Sequence, residues 1–141
     1  TIFVSVADRD KHQVILPVRR LSQLGYEILA TSGTAAILER HGIKTTIVRK
    51  HSADDKAPQG PSIVELITAG KVDVVVNTPS GSDARKDGYE IRAATTAADA
   101  PIFTTIAQLS AAIGSFEMVQ AGKFKVKSLQ EHAEERRQQL A

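Results

Sequence analysis

The sequence contains no cysteine and no tryptophan, and only 4% of its 141 residues are aromatic. Without cysteine there is neither a disulfide framework nor a thiolate metal site, a usage that suits a reducing compartment. No apolar run approaches the roughly 18 residues of a membrane span, and no signal-peptide pattern opens the chain. A cytoplasmic protein with no membrane partner is therefore expected. A charge excess of one sign is missing too. The 18 basic and 16 acidic residues leave a net charge of +2, too balanced for a nucleic-acid binder. His12, His41, His51 and His132 are scattered without the spacing of a metal pair, so no metal site is expected. There is no P-loop and no Gly-x-Gly-x-x-Gly, which removes nucleoside triphosphate and dinucleotide binding of the familiar kinds.

What is present is the composition of one globular domain, 42% hydrophobic and 24% charged. The chain goes from Thr1 straight into the apolar run Ile2–Val6, as expected of a segment of something longer. Short β-branched runs alternate with longer periodic segments. Strands are predicted at Ile2–Val6, Tyr26–Ala30, Thr45–Arg49, Val72–Asn77 and Pro101–Thr104. Val74-Val75-Val76 reads as a central parallel strand covered on both faces. Val14, Val18, Leu21 and Leu24 recur at helical spacing, with Pro17 a misfit that should remove one backbone bond or kink the helix. Further helices end at His41-Gly42 and Ala69-Gly70, where glycine supplies a left-handed cap. Alternating βα units mean a three-layer α/β/α sandwich on a five-stranded parallel, doubly wound sheet. Its core should span 1–122 and include Val4, Val74, Val75, Val76 and Ile102. A C-terminal strand and helix, basic then charged, should fill 123–141.

In such a sheet, ligands bind beyond the carboxyl ends of the strands, at the switch in strand order. The residues just after the predicted strands are hydroxyls, glycines, an amide and lysines, the inventory of an anion site. Thr31-Ser32-Gly33-Thr34 ends a strand and opens a helix. It reads either as N-capping by Thr31 or Ser32 or as a phosphate cradle. Lys11 and Lys50 would supply positive charge at that edge, although a solvated lysine is the plainer reading of each. Asn77-Thr78-Pro79-Ser80-Gly81 could be only a turn. Lys50–Gly60, with Asp54-Asp55-Lys56, Pro58 and Gly60, reads as a mobile flap. Asp8 and Asp10 read as first-turn carboxylates that complement a helix dipole. No catalytic residue is identified.

Ser5-Val6 with Asp10-Lys11, Ala30-Thr31-Ser32-Gly33-Thr34-Ala35, Gly42-Ile43 and Val75-Val76-Asn77-Thr78-Pro79-Ser80-Gly81 together resemble the methylglyoxal-synthase-like (MGS-like) domains. Within that superfamily the resemblance is to the C-terminal allosteric domains of carbamoyl phosphate synthetase large subunits, from about Ile2 to His132. It implies a sheet of order 3-2-1-4-5 and a regulatory rather than catalytic domain. It also implies an effector pocket for UMP and IMP at Ser5, Lys11, Thr31, Thr34, Lys50 and Asn77, completed by Gly33, Thr78, Ser80 and Gly81. An activator junction for ornithine maps to Thr104. The implied partners are a synthetase core in the same chain and a glutaminase small subunit, serving pyrimidine and arginine biosynthesis. The implied cofactors, ATP, Mg or Mn, and K, belong to that whole ligase and none to this domain. The chain departs from the family at Pro79, where a threonine is common, and at Ser82 and Asp83, where two arginines often stand.

Two enzymes share the superfamily. Methylglyoxal synthase needs a carboxylate base and enediolate-stabilising groups. Its aligned acidic positions are Gly60 and Ser80 here, and its histidine falls at Ala84. The IMP cyclohydrolase domain shares the Ser-Gly-Thr-type loop but carries lysine- and aspartate-rich segments that this chain lacks.

Overall fold

The apolar runs form the middle of the sheet. The computed structural model describes residues 1–50, 59–79 and 84–140, with 84–87 as helix backbone. Strands β1 (Ile2–Ser5), β2 (Ile28–Ala30), β3 (Thr46–Ile47), β4 (Val74–Asn77) and β5 (Ile102–Phe103) pair in parallel, in the order β3-β2-β1-β4-β5. This is the expected topology. β1 lies between β2 and β4, with Val4 opposite Ala30 on one side and Ser5 opposite Asn77 on the other.

Among the described residues six α-helices connect and flank the strands: α1 (Ile15–Gln23), α2 (Ser32–Arg40), α3 (Ile63–Thr68), α4 (Ala84–Ala97), α5 (Ile106–Gln120) and α6 (Leu129–Leu140). Alternate side chains of a strand point to opposite faces, which divides the interior into two cores. Ile2, Val4, Val74 and Val76 pack with α1, α2 and α5 through Leu21, Leu38 and Leu109. Phe3, Leu29 and Val75 pack with α3 and α4 through Ile63, Ile67 and Ile91. Val74-Val75-Val76 therefore serves both layers, and all three are buried. Gly42 and Gly70, just past α2 and α3, take φ of +74° and +67°, the left-handed region that glycine enters without strain.

The structure corrects four expectations. Pro17 does not kink α1. The helix begins at Ile15, so Pro17 lies in the first turn, where a missing N–H leaves no intrahelical bond unmade. β3 is shorter than the expected Thr45–Arg49: Val48 turns into the α3/α4 core, while Thr46 and Ile47 remain exposed on the sheet edge. Ile102 is half-buried rather than buried, since β5 is the opposite edge and has one strand neighbour. No strand forms at Lys123–Lys127. Phe124 (62% exposed) and Val126 (87%) meet no sheet edge that could take up their alternating pattern. α6 follows as an exposed, charged helix. Among the described residues no helix is long and apolar enough to cross a membrane.

Candidate functional site

The switch in strand order falls at β1, which runs on to a site at its carboxyl end. Register places Ser5 beside Asn77, and Thr31 follows β2 directly. Three loops therefore converge there, and buried hydroxyls tie them together. The Thr31 hydroxyl lies 3.3 Å from Ser5 Oγ and 3.4 Å from Thr34 Oγ1. The Val6 amide donates to Thr34 Oγ1 at 3.2 Å, and the Ala7 amide donates to Thr78 Oγ1 at 2.9 Å. Ser5, Thr31, Thr34, Asn77 and Thr78 are all buried. Thr34 and Thr78 thus also shape the turn that follows β1, a structural role that sequence spacing does not reveal.

This geometry decides against ordinary capping by Thr31. Its backbone occupies the N-cap position of α2, but its hydroxyl turns to Ser5 and makes no cap hydrogen bond. The first turn of α2, with its positive dipole end, is left facing the strand edge.

Lys11 approaches that turn from the other side. After β1 the chain makes one 3₁₀ turn at Asp8–Asp10, and Lys11 caps it through its amide to the Asp8 carbonyl. A Cβ placed on Gly33 would stand only 3.3 Å from Lys11 Nζ. The glycine lets the ammonium rest against the α2 backbone. Lys11 Nζ also pairs with Asp8 Oδ1 at 2.7 Å, and this hydrogen bond holds the exposed Asp8 carboxyl below its usual range.

Asn77 contributes a different feature. It is 6% exposed, and among the described residues its Nδ2 has no hydrogen-bond partner. A buried donor without an acceptor costs roughly 1–3 kcal/mol, so it marks a place where a ligand oxygen would be welcome. Sequence reasoning missed two neighbours of Asn77. Gly88 and Arg92 lie on α4, and a Cβ on Gly88 would meet Arg92 Nη1 at 2.8 Å and Asn77 Nδ2 at 3.6 Å. A glycine inside a helical segment was the signal that could have drawn attention to them. Arg9 was missed as well; it donates to the Pro79 carbonyl at 2.8 Å and ties the β1 and β4 loops together.

The remaining expected residues lie apart from this cluster or outside the described residues. Lys50 is half-buried beyond β3, next to the Arg49–Ser62 bridge and two strands from β1. Thr104 follows β5, where its amide and hydroxyl both donate to Gln108 Oε1 at 3.0 and 3.3 Å. Ser80 and Gly81 lie outside the described residues, as does most of the expected flap, 51–58. A cavity of about 420 Å³ opens elsewhere, between β3 and α3, lined by Leu29, Val48 and Leu66 with Arg49 and Lys71 at its rim. None of the converging residues lines it.

A doubly wound parallel sheet with hydroxyls, an amide and an ammonium gathered at its switch point defines the class: an α/β domain with an edge suited to anions. Residues 13–104 match the MGS-like domain family, and the chain belongs to it. It is 62% identical over 133 residues to the carbamoyl phosphate synthase large chain of Clavibacter sepedonicus, covering 94% of this chain and 12% of that one. The corresponding large chain of Beutenbergia cavernae is 58% identical over 132 residues, covering 93% and 12%. That of an Arthrobacter strain is 52% identical over 133 residues, covering 94% and 12%. The chain therefore spans about an eighth of the length of these relatives.

Proposed function

We propose that this domain is the allosteric unit of a carbamoyl phosphate synthase large chain and that its switch-point edge binds a nucleoside monophosphate, UMP or IMP. The observation that carries the reading is the convergence of Lys11 Nζ, the uncapped first turn of α2 and the partnerless Asn77 amide on one strand edge. A phosphate bearing up to two charges is costly to desolvate unless charged and N–H donors meet it. Lys11 and the α2 amides supply both, and Asn77 lies toward the sugar or base. On binding, the phosphate takes over Lys11 from the exposed Asp8 carboxylate. On this reading Lys50, Ser80 and Gly81 are effector-binding residues as well. Ornithine acts at Thr104, at the junction with the synthetase core, and the effect passes to carbamoyl phosphate formation in that core and its glutaminase partner.

The domain binds rather than reacts. Asp8 and Asp10 are the carboxylates of the 3₁₀ turn that follows β1. Asp8, paired with Lys11 and held acidic, is a poor base for abstracting a carbon-bound proton. Calorimetric titration tests the reading. UMP or IMP should bind, uridine should bind poorly, and inorganic phosphate should compete. Uridine binding as tightly as UMP, or formation of methylglyoxal from dihydroxyacetone phosphate, would sink it.

A further inference from the structure

Arg92 lies on α4 one turn beyond Gly88, and it is half-buried. Among the described residues it makes no hydrogen bond or ion pair. Its guanidinium rests on Gly88, whose missing side chain leaves the room: a Cβ there would lie 2.8 Å from Nη1 and 3.6 Å from Cζ. The same Cβ would lie 3.6 Å from Asn77 Nδ2, so both groups share one bare stretch of helix. Guanidinium nitrogens and an amide NH₂ are donors only, and neither can satisfy the other. An acceptor oxygen can satisfy both.

The placement mirrors that of Lys11. Lys11 rests on Gly33 of α2, in the layer that packs under Ile2 and Val4, while Arg92 rests on Gly88 of α4, in the layer that packs under Phe3 and Val75. Two glycine-seated cations thus flank the strand edge from opposite faces of the sheet. We propose that Asn77 and Arg92 form a donor pair, seated on Gly88, that receives an acceptor oxygen of the bound nucleotide and makes Arg92 a further binding residue. This rests on the reading of the edge as a nucleotide pocket. The oxygen belongs either to the phosphate or to the sugar or base; the chemistry of the pair is the same for each.

The test is titration of UMP and of inorganic phosphate into this chain and its variants, with thermal unfolding of each followed in parallel. Arg92→Met should weaken UMP at least tenfold, in line with loss of a charged hydrogen bond. Arg92→Lys, which keeps the charge but loses the planar fork, should fall between. Gly88→Ala should weaken UMP by displacing the guanidinium. Its melting temperature should hold or rise, because alanine is the better helix former. A structural role for Gly88 would instead lower both together. Parallel loss of inorganic phosphate assigns the oxygen to the phosphate, and loss confined to UMP assigns it to the sugar or base; either supports the pair. UMP affinity in Arg92→Met within twofold of the unsubstituted chain overturns it. Lys11→Met separates the two failures. UMP lost in Lys11→Met but unchanged in Arg92→Met removes the pair and leaves the pocket, whereas an unsubstituted chain that takes up no UMP removes both.

Discussion

At the scale of single residues, the site is built from side chains with distinct duties, and substitutions should separate them. In the proposed pocket Lys11 is a binding group: its ammonium lies on the surface of α2 and, among the described residues, pairs with the exposed Asp8. A surface pair of this kind adds little to folding, while a charged hydrogen bond to a phosphate is worth about 1.5–3 kcal/mol. Lys11→Met should therefore weaken UMP roughly ten- to a hundredfold with little change in melting temperature, as read by calorimetry and thermal unfolding. Lys50→Ala should weaken it over the same range if Lys50 closes the pocket, and unchanged affinity would remove it from the site. Thr34 has the opposite balance. It is 1% exposed and accepts the Val6 amide, so Thr34→Val leaves a buried N–H without a partner. That should cost about 1–3 kcal/mol of stability, seen as a lowered denaturant midpoint in the absence of ligand. Threonine and lysine thus fail in different experiments, although the sequence presents both simply as polar residues after strands.

At the scale of elements, the tail offers a test that is independent of the site. α6 opens on a capping box: the Ser128 amide donates to Glu131 Oε2 at 2.6 Å, and the Glu131 amide donates to Ser128 Oγ at 3.2 Å. The hydrogen bond from the Ser128 amide holds the Glu131 carboxyl below its ordinary value of 4.5. A carboxylate with a depressed pKa stabilises its helix above that value, and the contribution is lost as pH falls through the depressed one. With no buried residue to support it, α6 should lose its first turn as pH falls below the ordinary carboxylate range while the sheet persists. Amide shifts of Ser128–Glu131 followed by NMR, set against those of Val74–Val76, check this. A common titration midpoint would mean that the tail and the core unfold together. The same element shows where sequence pattern misleads. Lys-Phe-Lys-Val-Lys alternates as a strand should, but pattern cannot supply the neighbouring edge a strand needs. Where pattern and surroundings agree, as at Val74–Val76 and the helices ending at Gly42 and Gly70, the fold was legible. The site was legible in part. The hydroxyls and Lys11 follow strands that were correctly placed, and topology gathers them. Arg92, Gly88 and Arg9 act across the sheet edge through contacts that no local spacing encodes.

At the scale of the whole molecule, the two cores and the switch-point edge are separable in energy, and this makes ligand linkage a clean measurement. The cores on the two faces of the sheet are closed by residues such as Phe3, Leu38, Ile67 and Leu109, none of which belongs to the site. The fold therefore does not depend on an occupied pocket, but any ligand that binds only the folded state must stabilise it. At a hundredfold excess over the dissociation constant the gain is about 2.7 kcal/mol, which for a domain of this size raises the melting temperature on the order of ten degrees. UMP should produce this shift in scanning calorimetry, a suitable probe for a chain without tryptophan. Uridine at the same concentration should produce almost none, because the ammonium, helix end and buried amide are arranged for an anion. The UMP shift should shrink as salt is raised, since the charges at the rim are partly exposed and screened over roughly 8–10 Å at ordinary ionic strength. Lys11→Met should melt where the unsubstituted chain melts in the absence of ligand and lose most of the UMP-induced rise. A Lys11→Met chain whose ligand-free melting temperature fell by as much as its UMP-induced rise would show that Lys11 supports the fold rather than the ligand, and the pocket would have to be sought elsewhere on the sheet.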